Sequence, residues 1–449
     1  MSIIIGSWAF SCRGIPVSNS EAGLLQRRQR LLGPAYRLFY DTPVHLVRGE
    51  GAWVYDANGR KYLDMYNNVA HVGHCHPRVV DAICRQAKLL NTNTRYLHEN
   101  ILDYAERLTA KFPAELDTAM FCCTGSEANE LALRIARSVT GARGVIVTDY
   151  AYHGNSQATY EISPEDVPAD KLPDYVAVVP SPDRYRGAYT GDDAGERYAE
   201  HLGAAIELLH RRGVKPAAFI VDTIVSSGGV VSPPPGYLRK AAEITGAAGG
   251  LFIADEVQPG FGRTGKNFWG FAADEFVPDI VTMGKPMGNG HPVAGVVTRR
   301  ELAAEFGSRD GYFNTFGGNP VSCAAALAVL DVIEEEKLQQ NALEVGEYLV
   351  AGLQRLAGRH PCIGDVRASG LFVAVDLVSD RRQRTPATEL ASQLVNRLRD
   401  RGVLTSSIGP SANILKLRPP MVLSRRDADY VLGILDDILQ DPATGLSTT

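Results

Sequence analysis

Short, continuously apolar segments alternate with helical patterns between residues 79 and 320, and this alternation limits the possible folds more than any other feature. Six of the segments are predicted strands: Ala119–Cys123, Gly144–Thr148, Ala217–Val221, Leu251–Ala254, Ile280–Met283 and Val293–Val297. Strands that are apolar on both faces and separated by helices are typical of a parallel sheet covered by helices on both sides. The pattern therefore predicts an α/β domain in which ligands bind beyond the carboxyl ends of the strands.

Two of these strands end in side chains that are able to do chemistry. Leu251–Ala254 is followed directly by Asp255, and Ile280–Met283 is followed by Gly284 and Lys285. A lysine and a carboxylate at one edge of a buried sheet are the pair that a pyridoxal phosphate (PLP) enzyme needs. The lysine forms a Schiff base, and the acid keeps the pyridine nitrogen protonated. The alternative for Asp255 is a buried ion pair with an arginine.

A candidate phosphate site lies at the turn formed by Gly125 and Ser126, between a predicted strand and a predicted helix. The free N–H groups and the positive dipole end of such a helix suit an anion. Gly125 lets the backbone approach a phosphate, and Ser126 is predicted to cap the helix while donating to the anion. An ordinary cap without a ligand is the alternative.

Two further residues are candidates for contacts with the same ligand. Tyr152 follows the strand Gly144–Thr148, where an aromatic ring is able to stack on a flat cofactor. Packing alone is the alternative for this tyrosine. Thr315 lies in a polar, glycine-rich loop at residues 312–320 and is a possible phosphate donor.

The chain is predicted to have four parts. Within the first, an amphipathic helix at Leu24–Leu32 precedes a hairpin whose turn is Asn58-Gly59. The parts are an N-terminal helix with a strand-rich segment (1–78), a large PLP-binding domain (79–320), a smaller α/β domain (321–440) and a disordered tail (441–449).

Composition argues against several classes of function. The net charge is −5, from 46 Lys and Arg against 51 Asp and Glu, which gives no footprint for nucleic acid or a membrane surface. Seven cysteines with no CxxC pair and no metal-ligand spacing predict reduced thiols, a cytoplasmic location and no metal site. No apolar run has membrane-spanning length, and no basic segment precedes the short apolar start, so a signal peptide is not expected.

With these residues identified, the chain resembles the class III aminotransferases, which have fold type I. The resemblance runs from about residue 30 to residue 438. Its motifs are Gly125–Asn129, Tyr152–Gly154, Ala254–Gln258, Gly260–Arg263 with Gly265, Lys285, and Asn314–Pro320. It implies a large domain with a mostly parallel, seven-stranded sheet between helices, a smaller C-terminal α/β domain, and PLP as the cofactor.

The resemblance also implies roles for individual residues. Lys285 and Asp255 are the catalytic pair, and Gln258 lies near the phenolic oxygen of the cofactor. Thr315 reaches the phosphate from a neighbouring subunit, which implies a homodimer with shared active sites. The implied cofactor contacts are Gly125, Ser126, Tyr152, Asp222, Asp255, Gln258, Lys285 and Thr315.

Three positions depart from the aminotransferase pattern. Asn155 stands where many relatives have a basic residue for a second substrate carboxylate, and Asp222-Thr223 replaces a Glu-Pro pair. Lys416 stands where many relatives have an arginine for the α-carboxylate. Because a lysine lacks the bidentate fork of an arginine, the positions suited to a dicarboxylate amino donor are weakened.

Four other segments resemble the phospho-lyase branch of the family, whose members eliminate phosphate: Asn67–Pro77, Leu90–Arg95, Lys285–Ala294 and Arg384–Thr388. This resemblance implies the conversion of O-phosphoethanolamine to acetaldehyde, ammonia and phosphate. The near variant is a 5-phosphohydroxy-L-lysine phospho-lyase. An ω-aminotransferase acting with pyruvate or glyoxylate is the runner-up. A non-enzymatic homologue is a third hypothesis, which the presence of both Lys285 and Asp255 disfavours.

A phospho-lyase must hold a phosphate dianion beside the cofactor, so a polar, basic pocket is expected. The candidate substrate contacts are Lys416, Arg418, Arg37, Asn68 and His71. An ion pair at the surface is the alternative for Arg418, and a purely structural role is the alternative for His71.

Overall fold

The computed structural model describes residues 21–441. Its helices are α1 (Glu21–Leu32), α2 (Pro77–Ala87), α3 (Glu99–Thr109), α4 (Gly125–Thr140), α5 (Gln157–Tyr160), α6 (Ala194–Arg211), α7 (Tyr237–Ala247), α8 (Arg300–Arg309), α9 (Pro320–Glu335), α10 (Leu338–Arg359), α11 (Thr388–Asp400) and α12 (Arg425–Gln440). None of these helices is both long and apolar enough to cross a bilayer. The predictions for the chain start and for the tail lie outside the described residues, except at Asp441.

The strands of the described chain are also numbered in chain order. They are β1 (Leu46–Glu50), β2 (Trp53–Asp56), β3 (Lys61–Asp64), β4 (Thr118–Cys122), β5 (Gly144–Thr148), β6 (Val176–Val179), β7 (Pro216–Asp222), β8 (Leu251–Asp255), β9 (Ile280–Met283), β10 (Ala294–Thr298), β11 (Ile363–Ser369), β12 (Phe372–Asp380), β13 (Thr385–Pro386), β14 (Val403–Leu404), β15 (Ser406–Ile408) and β16 (Ile414–Leu417).

A seven-stranded sheet with the order β4-β10-β9-β8-β7-β5-β6 forms the centre of the molecule. All six predicted strands belong to it, within one or two residues at their ends, and β6 is the member that the sequence pattern missed. The sheet is parallel except for β10, which is antiparallel to both β4 and β9. The expectation of a mostly parallel, seven-stranded sheet is confirmed.

Both faces of this sheet are buried, as the apolar strands predict. Alternate residues of β7 enter two separate cores: Phe219 and Val221 pack in one, and Ala218 and Ile220 pack in the other. Successive side chains of a strand point to opposite faces, so this division shows a core on each side. Helix α4 contributes to one core, whereas α6 and α7 contribute to the other.

The central sheet brings two carboxylates and a lysine to one edge. Asp222 at the end of β7 pairs in register with Asp255 at the end of β8, and Asp255 pairs with Thr282 of β9. Lys285 follows three residues after Thr282, in a short 3₁₀ turn. Because β7, β8 and β9 are parallel, their carboxyl ends bring both carboxylates and the lysine together.

The N-terminal and C-terminal segments share a second sheet. The predicted hairpin is present: β2 and β3 are antiparallel around Asn58-Gly59, and Gly59 takes the left-handed φ of +82° that the turn requires. Strand β14 extends this sheet by pairing in parallel with β3. The domain boundaries at residues 78, 320 and 440 stay predictions, and this shared sheet ties the first part of the chain to the third.

A third sheet lies in the C-terminal part of the chain; its order is β11-β12-β16-β15, and β13 pairs with β12 as its fifth strand. Strand β16 pairs antiparallel with both β12 and β15 and is buried along its length. Leu415 and Leu417 of β16 pack into the main core. The alternate residues Lys416 and Arg418 line a cavity at the edge of the central sheet instead.

Candidate active site

Two neighbouring cavities lie at the carboxyl edge of the central sheet. A cavity of about 280 Å³ is lined by Gly125, Ser126, Asp222 and Asp255 among others. A second cavity, of about 470 Å³, is lined by residues that include Glu165, Ser227, Lys416 and Arg418. Tyr152, Gln258 and Lys285 line both. The two spaces therefore meet at Lys285, and we call them the cofactor cavity and the substrate cavity.

Asp255 is buried at the base of the cofactor cavity and is held by three donors. Its Oδ2 accepts hydrogen bonds from Asn129 Nδ2 at 2.9 Å and from His153 Nδ1 at 2.8 Å. Its Oδ1 accepts from the backbone N–H of Val257 at 3.1 Å. Asn129 is fixed in turn, because its Oδ1 accepts from Thr282 Oγ1 at 2.6 Å. These contacts fix the carboxylate in one orientation, and no arginine pairs with it in the described chain.

Sequence reasoning missed the roles of Asn129 and His153. Both lie inside the quoted motifs at the start of α4 and after β5, but neither residue type by itself indicates that it positions an acid. The His153 side chain is fully buried, and its Nε2 has no partner among the described residues. Its contact with Asp255 is therefore the polar contact that fixes the ring.

Lys285 has an amine that is available for chemistry. Within the described residues its Nζ makes no hydrogen bond and no ion pair. Burial lowers the pKa of this amine to about 8; the nearby Arg418 acts in the same direction, while Asp255 and Asp222 oppose the shift. A larger fraction of the amine is neutral near pH 7 than for an exposed lysine, and a neutral amine is the form that attacks a carbonyl carbon.

The start of α4 forms one wall of the cofactor cavity, but the capping prediction for Ser126 is wrong. The cap is Thr124, whose Oγ1 accepts from the backbone N–H of Glu127 at 3.2 Å, and the Glu127 carboxylate accepts from the N–H of Thr124 at 2.9 Å. Ser126 comes two residues too late to cap, because it already lies inside the helix. Its Oγ instead donates to Asn155 Oδ1 at 3.1 Å and lines the cavity.

Asp222 and Gln258 connect the two cavities through a chain of hydrogen bonds. Asp222 Oδ2 accepts from the Ser226 hydroxyl, and Gln258 Nε2 donates to the same hydroxyl oxygen. Gln258 Oε1 accepts from the Arg418 guanidinium. Burial raises the pKa of Asp222, and the neighbouring Asp255 adds to the shift. Hydrogen bonds therefore link Arg418 in the substrate cavity to Asp222 in the cofactor cavity.

Lys416 and Arg418 bring positive charge to the substrate cavity. Both are buried, at 4% and 7% exposure, and in the described chain neither forms an ion pair. Arg418 donates from Nε to the Tyr66 carbonyl at 2.8 Å and lies over the Tyr66 ring at 4.6 Å. Burial lowers the pKa of Lys416, and Arg418 beside it adds to this. The surface ion pair considered for Arg418 is not what the structure shows.

His71 is buried away from both cavities. Its Nε2 lies 2.8 Å from the Phe261 carbonyl oxygen, and its Nδ1 lies 3.3 Å from the Arg263 guanidinium. Burial holds the pKa of this imidazole well below its usual value, and Arg263 adds to the shift. A neutral ring that donates from Nε2 and accepts at Nδ1 satisfies both contacts, which corresponds to the structural role considered as its alternative.

Besides His71, three predicted contacts lie outside the residues that line the two cavities. Arg37 is exposed, and Asn68 is buried with its Nδ2 unpartnered in the described chain. Thr315 lies on the exposed surface of the subunit. Tyr152, by contrast, lines both cavities. The roles of all predicted site residues stay predictions at this point.

Comparison with known proteins assigns the family. Residues 39–439 match the sequence profile of the family described as aminotransferase class III. The chain belongs to this family. It has fold type I, and PLP is its cofactor, as its solved relatives indicate.

Three relatives show how similar this class III chain is to known proteins. An "Alanine--glyoxylate aminotransferase 2-like" protein of Drosophila melanogaster is 46% identical over 92% of the chain and 86% of the relative. An "Ethanolamine-phosphate phospho-lyase homolog 1" of Caenorhabditis elegans is 40% identical over 98% of the chain and 99% of the relative. A solved phospholyase from Arthrobacter in complex with phosphoethanolamine is 45% identical with a TM-score of 0.89, covering 93% of the chain and 99% of that structure.

The residues of the cofactor cavity fit PLP. Lys285 offers an unpaired amine, Asp255 offers a fixed acid for the pyridine nitrogen, and the start of α4 offers backbone donors for the phosphate. When bound, PLP supplies an electron sink for the carbon next to the substrate nitrogen. The protein supplies the orientation of each group and the base.

Proposed function

We propose that this class III enzyme is a phospho-lyase that eliminates phosphate from O-phosphoethanolamine to give acetaldehyde, ammonia and phosphate. The observation that carries the proposal is the pair of buried basic side chains, Lys416 and Arg418, which line the substrate cavity and form no salt bridge in the described chain. A phosphate dianion bound between them would favour the charged form of both. The worm and Arthrobacter relatives, which are named for this chemistry, support the same conclusion.

The position of Lys285 between the two cavities supports an elimination. Its neutral amine takes the proton from the carbon that bears the substrate nitrogen, while the Asp222–Ser226–Gln258–Arg418 chain keeps Arg418 directed at the substrate cavity. In this orientation the neighbouring carbon bears the phosphate, and the phosphate lies beside Lys416 and Arg418. Loss of phosphate leaves an enamine that hydrolyses to acetaldehyde and ammonia.

The ω-aminotransferase alternative is favoured by the names of several relatives, among them the Drosophila protein and a solved amine transaminase that is 31% identical. Against it, Asn155 is occupied by its hydrogen bond with Ser126, and Lys416 lacks the bidentate geometry that holds a carboxylate well. The 5-phosphohydroxy-L-lysine variant would bring the same phosphate to the same cations. Its additional carboxylate has no assigned partner in the cavity.

One assay separates these functions. The purified, PLP-loaded protein is incubated with phosphoethanolamine and no keto acid, and inorganic phosphate and acetaldehyde are measured together. Release of both in equal amounts is the expected result. If amine is consumed only when pyruvate or glyoxylate is added, the chain is an aminotransferase and the proposal fails. Parallel incubation with 5-phosphohydroxy-L-lysine ranks the two phosphorylated amines.

Replacing Lys416 by alanine is expected to raise the KM for phosphoethanolamine by roughly 10- to 100-fold, because a charge-assisted contact to phosphate is worth about 1.5–3 kcal/mol. Retention of PLP after dialysis should change little, since Lys416 does not line the cofactor cavity. Lys266→Ala, which removes an exposed lysine, is the matched control. Equal losses of substrate and PLP binding in Lys416→Ala would show that Lys416 is structural.

A homodimer with shared active sites belongs to the proposal, and exposed apolar side chains support it. Leu97 is 98% exposed and Phe316 is 67% exposed, and the latter follows Thr315 directly. Such exposure of large apolar groups is typical of a surface that a partner covers. A second copy bound there would cover Thr315 and bring it to a neighbouring phosphate site.

Subunit mixing tests this arrangement. Thr315→Ala is expected to weaken PLP retention by roughly tenfold, because one hydrogen bond to a charged phosphate is lost. When Thr315→Ala subunits are mixed with Lys285→Ala subunits and allowed to exchange, a shared site pairs an intact Lys285 with an intact Thr315. In dimers that contain one subunit of each kind, one of the two sites is expected to recover tight PLP binding. No recovery, with exchange verified by mass spectrometry, would show that each subunit holds PLP alone.

A further inference from the structure

Asp64 is a buried acid at the end of β3 that the proposed mechanism does not use. It is 4% exposed and belongs to the wall of neither cavity. Its Oδ1 accepts hydrogen bonds from the backbone N–H groups of Tyr66 at 3.0 Å and Asn67 at 2.9 Å. An aspartate that accepts from the backbone just beyond it fixes the direction of the chain after a strand. We call residues 64–67 the Asp64 turn.

His74 holds the other oxygen of the same carboxylate. Its Nε2 donates to Asp64 Oδ2 at 2.7 Å, and its backbone N–H donates to the Gly51 carbonyl oxygen at 2.7 Å. Gly49 on β1 leaves space for the histidine, because a Cβ at this position would lie 2.7 Å from His74 Cβ. Both oxygens of Asp64 are therefore in use, and the carboxylate holds the turn in one orientation.

The Asp64 turn supplies two of the hydrogen bonds that hold Arg418. The backbone N–H of Arg418 donates to the Met65 carbonyl oxygen at 2.8 Å, and its Nε donates to the Tyr66 carbonyl oxygen, also at 2.8 Å. The guanidinium lies 4.6 Å from the centroid of the Tyr66 ring. Because Arg418 is buried, a shift of the turn would either move the guanidinium within the substrate cavity or leave its Nε without an acceptor.

The charge of Asp64 also acts on Arg418. Burial lowers the pKa of the guanidinium, and Asp64 is one of the groups that oppose this shift. Within the described residues no salt bridge joins the two side chains. Asp64 therefore favours the charged form of Arg418 from outside the cavity, and it does not compete with a substrate phosphate for the guanidinium N–H groups.

We propose that Asp64, held by His74, is the positioning residue that directs Arg418 into the substrate cavity, an inference that rests on the proposed phospho-lyase function. Asp64 reaches no reacting group and acts only through its turn. Loss of the carboxylate frees two backbone N–H groups, so the Tyr66 carbonyl that holds Arg418 Nε is no longer fixed. The substrate phosphate is then bound less tightly, while the catalytic lysine and acid keep their surroundings.

Asp64→Ala in the PLP-loaded enzyme is expected to raise the KM for phosphoethanolamine by roughly tenfold, because a charge-assisted contact to the phosphate is weakened. The kcat and the retention of PLP after dialysis should change little, a pattern that indicates lost binding and intact chemistry. Asp64→Asn, whose side-chain oxygen is still able to accept from both N–H groups of the turn, should recover most of the loss.

Asp183→Ala is the matched control. Asp183 Oδ1 accepts from the N–H groups of Tyr185 at 2.7 Å and Arg186 at 3.1 Å, the same pattern as in the Asp64 turn, and Asp183 lines neither cavity of the active site. Its replacement removes an equivalent turn and should leave the KM unchanged.

A double-mutant cycle separates positioning from a general loss of structure. In an Arg418→Ala background, Asp64→Ala should produce no further rise in KM, because the group that it positions is already absent. An equal rise in both backgrounds would overturn the inference. If Asp64→Ala does not fold, His74→Ala takes its place in the cycle. It loosens the same carboxylate by one hydrogen bond, so a rise in KM of roughly threefold is expected, again only when Arg418 is present.

Binding of inorganic phosphate gives a readout that needs no turnover. Calorimetric titration of the PLP-loaded enzyme should show weaker phosphate binding in Asp64→Ala and unchanged binding in Asp183→Ala. Unchanged phosphate binding in Asp64→Ala, or a fall in kcat at an unchanged KM, would overturn the role of Asp64. If the wild-type enzyme releases no phosphate from phosphoethanolamine, the proposed function itself fails, so the two failures are distinguishable.

Discussion

Replacing Lys285 by alanine is expected to lower phosphate release from phosphoethanolamine by roughly 10³-fold or more, since both the covalent attachment of PLP and the base are lost. Lys416 and Arg418 are not expected to substitute for it, because they line the substrate cavity but not the cofactor cavity. Reduction with borohydride followed by peptide mass spectrometry should attach the cofactor to Lys285 in the wild type. No cofactor should be found on that peptide in the variant.

Folding must be separated from chemistry in this experiment. The pKa of Lys285 is lowered to about 8 mainly by burial, so removing the amine relieves an unfavourable charge and should not destabilise the fold. The thermal unfolding temperature of Lys285→Ala is therefore expected to equal or exceed that of the wild-type protein without PLP. Turnover at the wild-type rate in a correctly folded variant would contradict the assignment of Lys285 and, with it, the entire mechanism.

Asp255→Ala is expected to reduce activity by roughly 10²–10³-fold, as the removal of one preorganised electrostatic group typically does. It should also destabilise the protein, because Asn129 Nδ2, His153 Nδ1 and the Val257 N–H would all lose their acceptor. Breaking a buried charged contact of this kind typically costs about 3–5 kcal/mol. Chemical denaturation and PLP retention after dialysis measure the two effects.

The isosteric variant Asp255→Asn separates charge from packing. Its side-chain oxygen is still able to accept from Asn129 or Val257, so stability should recover most of the loss seen with alanine. Activity should stay low, because a neutral amide does not hold a positive charge on the pyridine nitrogen. Wild-type activity in Asp255→Asn would show that the carboxylate serves only the local packing.

The reactive part of the site was predictable because it depends on strand ends. Asp255 and Lys285 follow apolar runs, and the carboxyl ends of parallel strands necessarily meet at one edge. The hairpin at Asn58-Gly59 was predictable because few residues tolerate the left-handed φ. The Thr124–Glu127 capping box is also visible in the sequence as T-x-x-E. This signal indicates Thr124 as the cap, and not Ser126 as predicted.

Other features depend on three-dimensional context that local patterns do not contain. The orientation of β10 and its insertion between β4 and β9 follow from chain crossovers. Strand β6 is the edge strand of the central sheet, a position that depends on the sheet order and not on the local pattern. His71 and His153 are the same residue type near glycine, yet one bonds a carbonyl far from the cavities and the other holds Asp255. Burial and partners distinguish them, and sequence spacing does not.

The position of Lys416 on β16 and of Arg418 directly after it has a consequence for how such enzymes diverge. The groups proposed to hold the substrate phosphate lie on or directly after a strand of the C-terminal sheet, whereas Asp255 ends a strand of the central sheet and Lys285 follows another. A lineage is thus able to exchange residues on one short strand and adopt a new leaving group while the carbanion-forming centre is inherited intact. Such inheritance predicts that relatives of similar sequence differ in the reaction they are named for. One relative named for amino transfer is 46% identical to this chain, and one named for phosphate loss is 40% identical.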